Sequence, residues 1–174
     1  MRWNVSHLID APADAVLAAA LDAETLRGVP SFMPLIAAAT RVEQRDLGDG
    51  RVLVVDRFEP AFDPPPFARG LTREMLGWDL RFTWDLAARA ARFVIDPHVK
   101  DEWKRYADVQ GEYRIVARGE GCERALSGDL QIRVPVLGAL AERFAVHTLS
   151  SQFAGEARLL GARAKGRSSA TVTG

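Results

Sequence analysis

Trp3, Val5, His7 and Ile9 alternate with Arg2, Asn4, Ser6 and Leu8, and a period of two marks a half-buried strand. Asp10-Ala11-Pro12 follows, a capping side chain and then a proline near the first helical position. That pattern predicts a helix from there to about Leu26, with Val16, Leu17, Ala20 and Leu21 as its apolar stripe. Gly28 and Pro30 break it, and a short second helix is expected over Ser31–Ala38. Strands near Ala39–Asp46 and Arg51–Glu59 are joined by Gly48-Asp49-Gly50, a strong hairpin signal. The cluster from Pro60 to Pro66 reads as a rigid surface loop, because neither flank suffices as a separate domain. A short helix over Phe67–Leu76 is expected inside it.

Leu80, Phe82, Trp84 and Leu86 alternate with Arg81, Thr83 and Asp85, a further half-buried strand. Arg92–Asp96 is another, stopped by Pro97. Two long strands follow at Tyr106–Ala117 and Cys122–Val134, separated by the turn Arg118-Gly119-Glu120-Gly121. At about 3.3 Å per residue the second spans on the order of 40 Å. Pro135 ends it, and a helix is expected from Gly138 to about Leu160, roughly 35 Å long. Gly111, Tyr113, Ile115 and Ala117 share one face, and Leu126, Gly128, Leu130, Ile132 and Val134 share another. The alternate positions are polar, so one side of the sheet is wet and the other meets the helix. Gly111 and Gly128 on the inward face allow sharp coiling. The order β-α-(α)-β5/6-α defines an α+β fold: a curved antiparallel sheet of about six to seven strands wrapped on a long C-terminal helix. Residues 1–161 read as one domain, and 162–174, small and polar, as a flexible tail.

Composition removes several function classes. Hydrophobic residues make up 48% of 174, the globular norm, and the formal net charge is zero. No Lys/Arg stripe forms a nucleic-acid footprint. No apolar run approaches the ~18 residues needed to span a bilayer, so stable membrane insertion is not expected. Cys122 is the single cysteine, which excludes an intrachain disulfide and a cysteine zinc site. The N-terminus lacks an apolar signal segment, and a cytoplasmic protein is expected. Monomer and homodimer both remain open.

The opening strand followed by Asp10-Ala11-Pro12-Ala13-Asp14-Ala15-Val16 resembles the START-like superfamily (SRPBCC, polyketide cyclase and birch-pollen-allergen proteins), whose fold is the helix grip. The stretch Arg124 to Glu142, with its Val134-Pro135-Val-Leu-Gly138 junction, is similar to an uncharacterised bacterial branch of it. Trp84-Asp85 and Gly111-Glu112-Tyr113 are also similar. The resemblance spans nearly the whole chain and transfers no functional residue. It implies an internal cavity for an apolar small molecule such as a lipid, a sterol-like compound or a polyketide. Alternatives on the same fold are a cofactor-free cyclase, dehydratase or hydrolase, and a protein-interaction module with a filled cavity.

The long helix carries Leu137, Leu140, Ala141, Phe144, Thr148, Ser151 and Gly155 along one side, and Val146, Leu149, Phe153 and Leu160 along a second. The first stripe ends in small residues, which leave volume against a curved sheet; the opposing possibility is that strand side chains such as Trp84 fill it. The expected lining is therefore His7, Asp56, Phe82, Trp84, Tyr113, Leu130, Phe144, Thr148 and Ser151. His7 shares its face with Trp3 and Val5 and is either a polar group in the cavity or a hydrogen-bonded core histidine. Asp56, on the side of Val52, Val54 and Phe58, needs a partner such as an arginine if it faces inward. Tyr113 offers a ring for the wall and a hydroxyl to orient a ligand. His7, His98 and His147 lack metal-pair spacing, so no metal is expected, and no cofactor motif is present. Ser127, Ser150 and Ser151 lack a nucleophile elbow. Cys122 has no activating neighbour.

Overall fold

Alternating side chains build seven strands, and their hairpins order them. The computed structural model describes residues 1–64, 72–105, 107–133 and 138–171, without the side chains at 102–103, 107, 132, 138–149 and 167–171. The strands are β1 (Arg2–Ile9), β2 (Ile36–Gly48), β3 (Arg51–Pro60), β4 (Trp78–Asp85), β5 (Ala90–Pro97), β6 (Ala107–Arg118) and β7 (Gly121–Ile132). They form one antiparallel sheet in the order β1-β7-β6-β5-β4-β3-β2. Each strand from β2 to β6 pairs with its successor, and β1 pairs with β7. The turn between β2 and β3 holds Gly48, Asp49 and Gly50 all at positive φ, which explains its two glycines.

Helical segments bridge the two edges of the sheet. They are α1 (Ala13–Leu21), a 3-10 turn (Ala23–Gly28) and α2 (Val29–Phe32). The first helix is shorter than the predicted run to Leu26. Asp22 ends it by accepting a hydrogen bond from the Glu24 amide, which starts the 3-10 turn. Pro12 itself stands at the N-cap, and Asp10 does not cap the helix but pairs with Lys165. The second helix lies at Val29–Phe32 rather than Ser31–Ala38, because Pro30 suits a first helical turn and Ile36 already belongs to β2. Of the predicted Phe67–Leu76 helix, a 3-10 turn at Glu74–Leu76 is seen and 65–71 lie outside the described residues. A short α3 (Asp101–Lys104) precedes β6.

The C-terminal α4 runs from Gly138 to Thr171, well past Leu160. Beyond Leu160, Ala164 is fully buried and Lys165 reaches Asp10. The helix lies against α1, α2, β1 and β7. Gly111 and Gly128 face each other across β6 and β7. A Cβ at Gly111 would stand 2.6 Å from the Phe93 ring, and one at Gly128 would stand 2.8 Å from the Trp3 ring. The glycine pair thus lets Trp3 and Phe93 lie close over the bend, with ring centroids 6.1 Å apart. The main core gathers on this inner face, from Trp3 and Val16 to Trp84, Ile115 and Leu160.

Candidate functional site

The core does not close completely between the sheet and α4. A cavity of about 450 Å³ remains, within the usual range of small-molecule pockets, about 300–1,000 Å³. Its walls are mostly aromatic and aliphatic. Phe58, Trp78, Phe82, Trp84 and Phe93 come from the strands; Leu26, Val29 and Met33 from the helical crossing; Phe153, Leu159 and Leu160 from α4. Phe58 and Trp78 stack with centroids 5.6 Å apart, and Trp84 meets Tyr113 edge-on at 5.1 Å. The lining reaches the surface at Leu35 and Phe62, both more than a third exposed.

One pole of this apolar space is ionic. The strand period that turns Cys122 and Leu126 inward turns Arg124 inward between them, and its side chain is 0% exposed. Every part of its guanidinium is occupied. Nε donates to the Tyr113 hydroxyl oxygen at 2.6 Å. Nη1 donates to the Phe153 carbonyl at 3.1 Å and lies 3.4 Å from His7 Nδ1. Nη2 is bonded to Glu156. The guanidinium carbon also sits 4.7 Å from the centre of the Tyr113 ring. Glu156 belongs to the inner side of α4, with Gln152, Phe153 and Leu160. A quarter of its side chain is accessible, and Glu156 is among the residues lining the cavity.

A second pair stands beside the first. β2 and β3 place Arg41 directly opposite Asp56. The Arg41 guanidinium holds the Asp56 carboxylate, the Leu21 carbonyl at 3.0 Å and Gln44. Burial pushes the Asp56 carboxyl above its ordinary range, against the pull of Arg41. Burial likewise raises Glu156; Arg124 opposes the rise and the nearby Asp56 charge adds to it. Burial lifts the Tyr113 phenol upward, with Arg124 opposing. Burial also works against the Arg124 charge, but Glu156 and Tyr113 more than offset it, and the guanidinium is held above its ordinary value.

Of the residues singled out in the sequence, Asp56, Phe82, Trp84, Tyr113 and Leu130 line the cavity. Trp84 is part of the wall and does not fill the space. His7 does not line it: the histidine lies behind the wall on Arg124, and burial first and Arg124 second hold its pKa below the ordinary value. Ser151 is exposed, on the other side of α4. Gly155 is small for a different reason than the one expected, since a Cβ there would strike the Phe32 carbonyl of α2. Ser151 and Gly155 thus do not border the cavity; the face about 100° around the helix, with Gln152 and Glu156, does. Phe144 and Thr148 fall outside the described side chains. The Tyr113 hydroxyl oxygen accepts from Arg124 Nε, which leaves its own O–H as a donor. Phe153, on the second apolar side of α4, is 8% exposed and stacks on Trp3.

Arg41, Arg124, Gln152 and Glu156 went unread in the sequence. For Arg124 the signal was present, since the alternation through Leu126 and Leu130 places it inward. Basic residues are so seldom fully buried that the pattern carried no weight there. Glu156 lies three residues from Phe153 and four from Leu160, on the same helical face.

The antiparallel sheet order and the long C-terminal helix packed against it define a helix-grip fold, with an apolar cavity between them. The chain belongs to the family described as "Protein of unknown function (DUF2505)", which matches residues 4–162. TTHA0849 from Thermus thermophilus superposes with a TM-score of 0.68 at 17% identity, over 97% of this chain and 99% of that one. The Zhui aromatase/cyclase from Streptomyces sp. R1128 gives 0.65 at 18% identity, over 96% and 94%. Norcoclaurine synthase from Thalictrum flavum, in complex with dopamine and hydroxybenzaldehyde, gives 0.53 at 12% identity, over 92% and 86%. These likenesses establish the fold. No curated protein matches the chain in sequence. Among the described residues no cluster of His, Cys, Asp and Glu has metal-site geometry, and no helix is long and apolar enough to cross a membrane.

Proposed function

We propose that this protein binds an apolar small molecule between its sheet and α4, as a carrier or receptor. The observation that carries the reading is the cavity itself: about 450 Å³, walled by aromatic rings, with a few polar groups gathered at one pole. That is the usual composition of a small-molecule site, apolar for affinity and polar for orientation. The flat side chains of Trp78, Trp84 and Phe58 suit a guest with a ring system. The fold's presence in an aromatase/cyclase and in a synthase seen with aromatic compounds supports the same direction. Binding is favoured over catalysis because Asp56 and Glu156 are each held by an arginine, which leaves neither as a ready base.

The test is titration with Nile red, an uncharged apolar dye, against the wild type and a Leu80→Trp variant that fills the cavity. Saturable one-to-one binding is expected in the wild type, weakened about tenfold or more by the added indole. Absence of saturable binding, or equal binding by the folded variant, defeats the proposal.

A further inference from the structure

The cavity wall is thin at one end of the sheet, and a histidine is seated against it. At that end β3 stops, β4 begins and β5 stops, so Phe58, Trp78 and Pro97 lie side by side across the three strands. All three line the cavity, with Gly77 and Val99 from the adjoining segments. Phe62, where the lining reaches the surface, follows β3 at the same end, and the Ala61 amide before it donates to the Leu35 carbonyl at 2.9 Å. Beyond Pro97 the chain leaves the sheet, and His98 ties it back. The His98 amide donates to the Gly77 carbonyl at 2.9 Å, and its ring Nε2 lies 2.8 Å from Asp79 Oδ1. The other edge of the ring rests on Gly77: a Cβ there would stand 2.9 Å from His98 Nδ1 and 3.0 Å from the Phe58 carbonyl oxygen. A glycine is what admits the ring so closely. His98 itself does not line the cavity, whereas Gly77, Pro97 and Val99 around it do.

Asp79 gives the ring a fixed anion. Arg57 of β3 donates to both of its oxygens, at 2.9 and 3.0 Å. Arg57 foremost, with His98 assisting against burial, keeps the Asp79 carboxyl below its ordinary range. Glu59 acts on Arg57 from the same strand. Level with Asp79 on β5 stands Asp96, paired at 2.9 Å with Lys104 of α3, which Asp101 shares at 3.6 Å. Glu74, in the 3-10 turn before Gly77, is bonded to Thr72, and Lys100 follows in the His98 segment. The carboxylate therefore persists across mildly acidic and neutral pH, and the histidine is the partner whose charge can change there. A neutral imidazole offers Asp79 at most an ordinary hydrogen bond; an imidazolium offers a charge-assisted one, about twice as strong.

We propose that His98 is a pH-sensitive latch on the cavity's entrance: protonated, it clamps the Pro97–Val99 segment to β4 through Asp79 and slows guest exchange; neutral, it lets the segment give way. The inference rests on the binding reading above and adds its regulation. His98 is a positioning residue that acts through the wall. The latch must open for entry and for escape alike, so protonation slows both rates together and leaves the affinity unchanged.

Stopped-flow fluorescence with Nile red reads both rates on the full chain at about pH 5.5 and about pH 8. In the wild type, association and dissociation should each be about threefold to tenfold slower at the lower pH, with Kd unchanged. His98→Gln keeps a donor but cannot ionise, and it should exchange fast at both pH values. Asp79→Asn removes the anion and should do the same. His7, Asp56 and Glu156 are intact in both variants, so any titration of theirs persists and is subtracted. Both substitutions fall on partly exposed side chains, and thermal melts check that each variant is folded. Equal wild-type rates at the two pH values, a change in one rate alone, or an acid slowing that survives in His98→Gln overturns the latch while the cavity reading stands. Acid slowing kept in Asp79→Asn overturns Asp79 as its anchor. If Nile red shows no saturable binding, the cavity reading falls and this inference with it.

Discussion

Arg124 is the residue on which the polar pole turns. It is fully buried, and one guanidinium ties β7 to β6 through Tyr113 and to α4 through Phe153 and Glu156. Removing one member of a buried ion pair strands the other, at a cost of about 3–5 kcal/mol. Arg124→Met should therefore lower unfolding stability by about that amount in urea melts. The double change with Glu156→Met should recover much of the loss; a single variant as stable as wild type would show that the pair holds nothing. His7 gives the pH signature. Burial and Arg124 hold its folded pKa below the ordinary value, so the unfolded chain takes up the proton first as pH falls. Stability from this group is complete well above about pH 6.5 and declines as pH drops through the folded pKa. Asp56 and Glu156 shift upward, and their contribution runs the other way, growing as pH falls. The comparison of wild type with His7→Gln isolates the histidine: the variant should lose less melting temperature between pH 7.5 and 5.5. An equal loss in both proteins would exclude His7 as the source.

At the scale of the elements, pattern and structure agree where a face is uniformly apolar or uniformly polar. The strands are legible from period-two alternation and from turn signals such as Gly48-Asp49-Gly50, and α4 from its length and the Pro135 break. The misassigned stripe on α4 has one cause. Small residues on a helix are called for both by an adjoining cavity and by another backbone at close range, and Gly155 belongs to the second case because of Phe32. Sequence gives the spacing of a stripe but not the rotation of the helix that carries it. The glycine pair in β6 and β7 tests the bend directly. At Gly111 an added methyl would press on the Ser127 carbonyl and the Phe93 ring. Gly111→Ala should destabilise by about 1–3 kcal/mol through forced shifts in the strand and the ring. It should also loosen the stacking of Trp3 on Phe153, visible as a changed tryptophan near-UV signal. A neutral substitution would mean that the bend does not depend on that close approach.

Over the whole molecule, the sheet bends around α4 until Trp3, Phe93 and Phe153 close one end and the ion-paired pole lies beside the space left open. The linear pattern determined the elements, their order, the antiparallel sheet and which face of each strand is apolar, because these follow from alternation, turn residues and chain length. It also put Asp56, Phe82, Trp84, Tyr113 and Leu130 on inward faces. Only the tertiary structure decided that Arg41 stands across from Asp56, that Arg124 meets Glu156 from 32 residues away, and which side of α4 borders the cavity. Those facts depend on strand register and helix rotation, which no local propensity fixes. They are set when long-range contacts compete for the same interior volume.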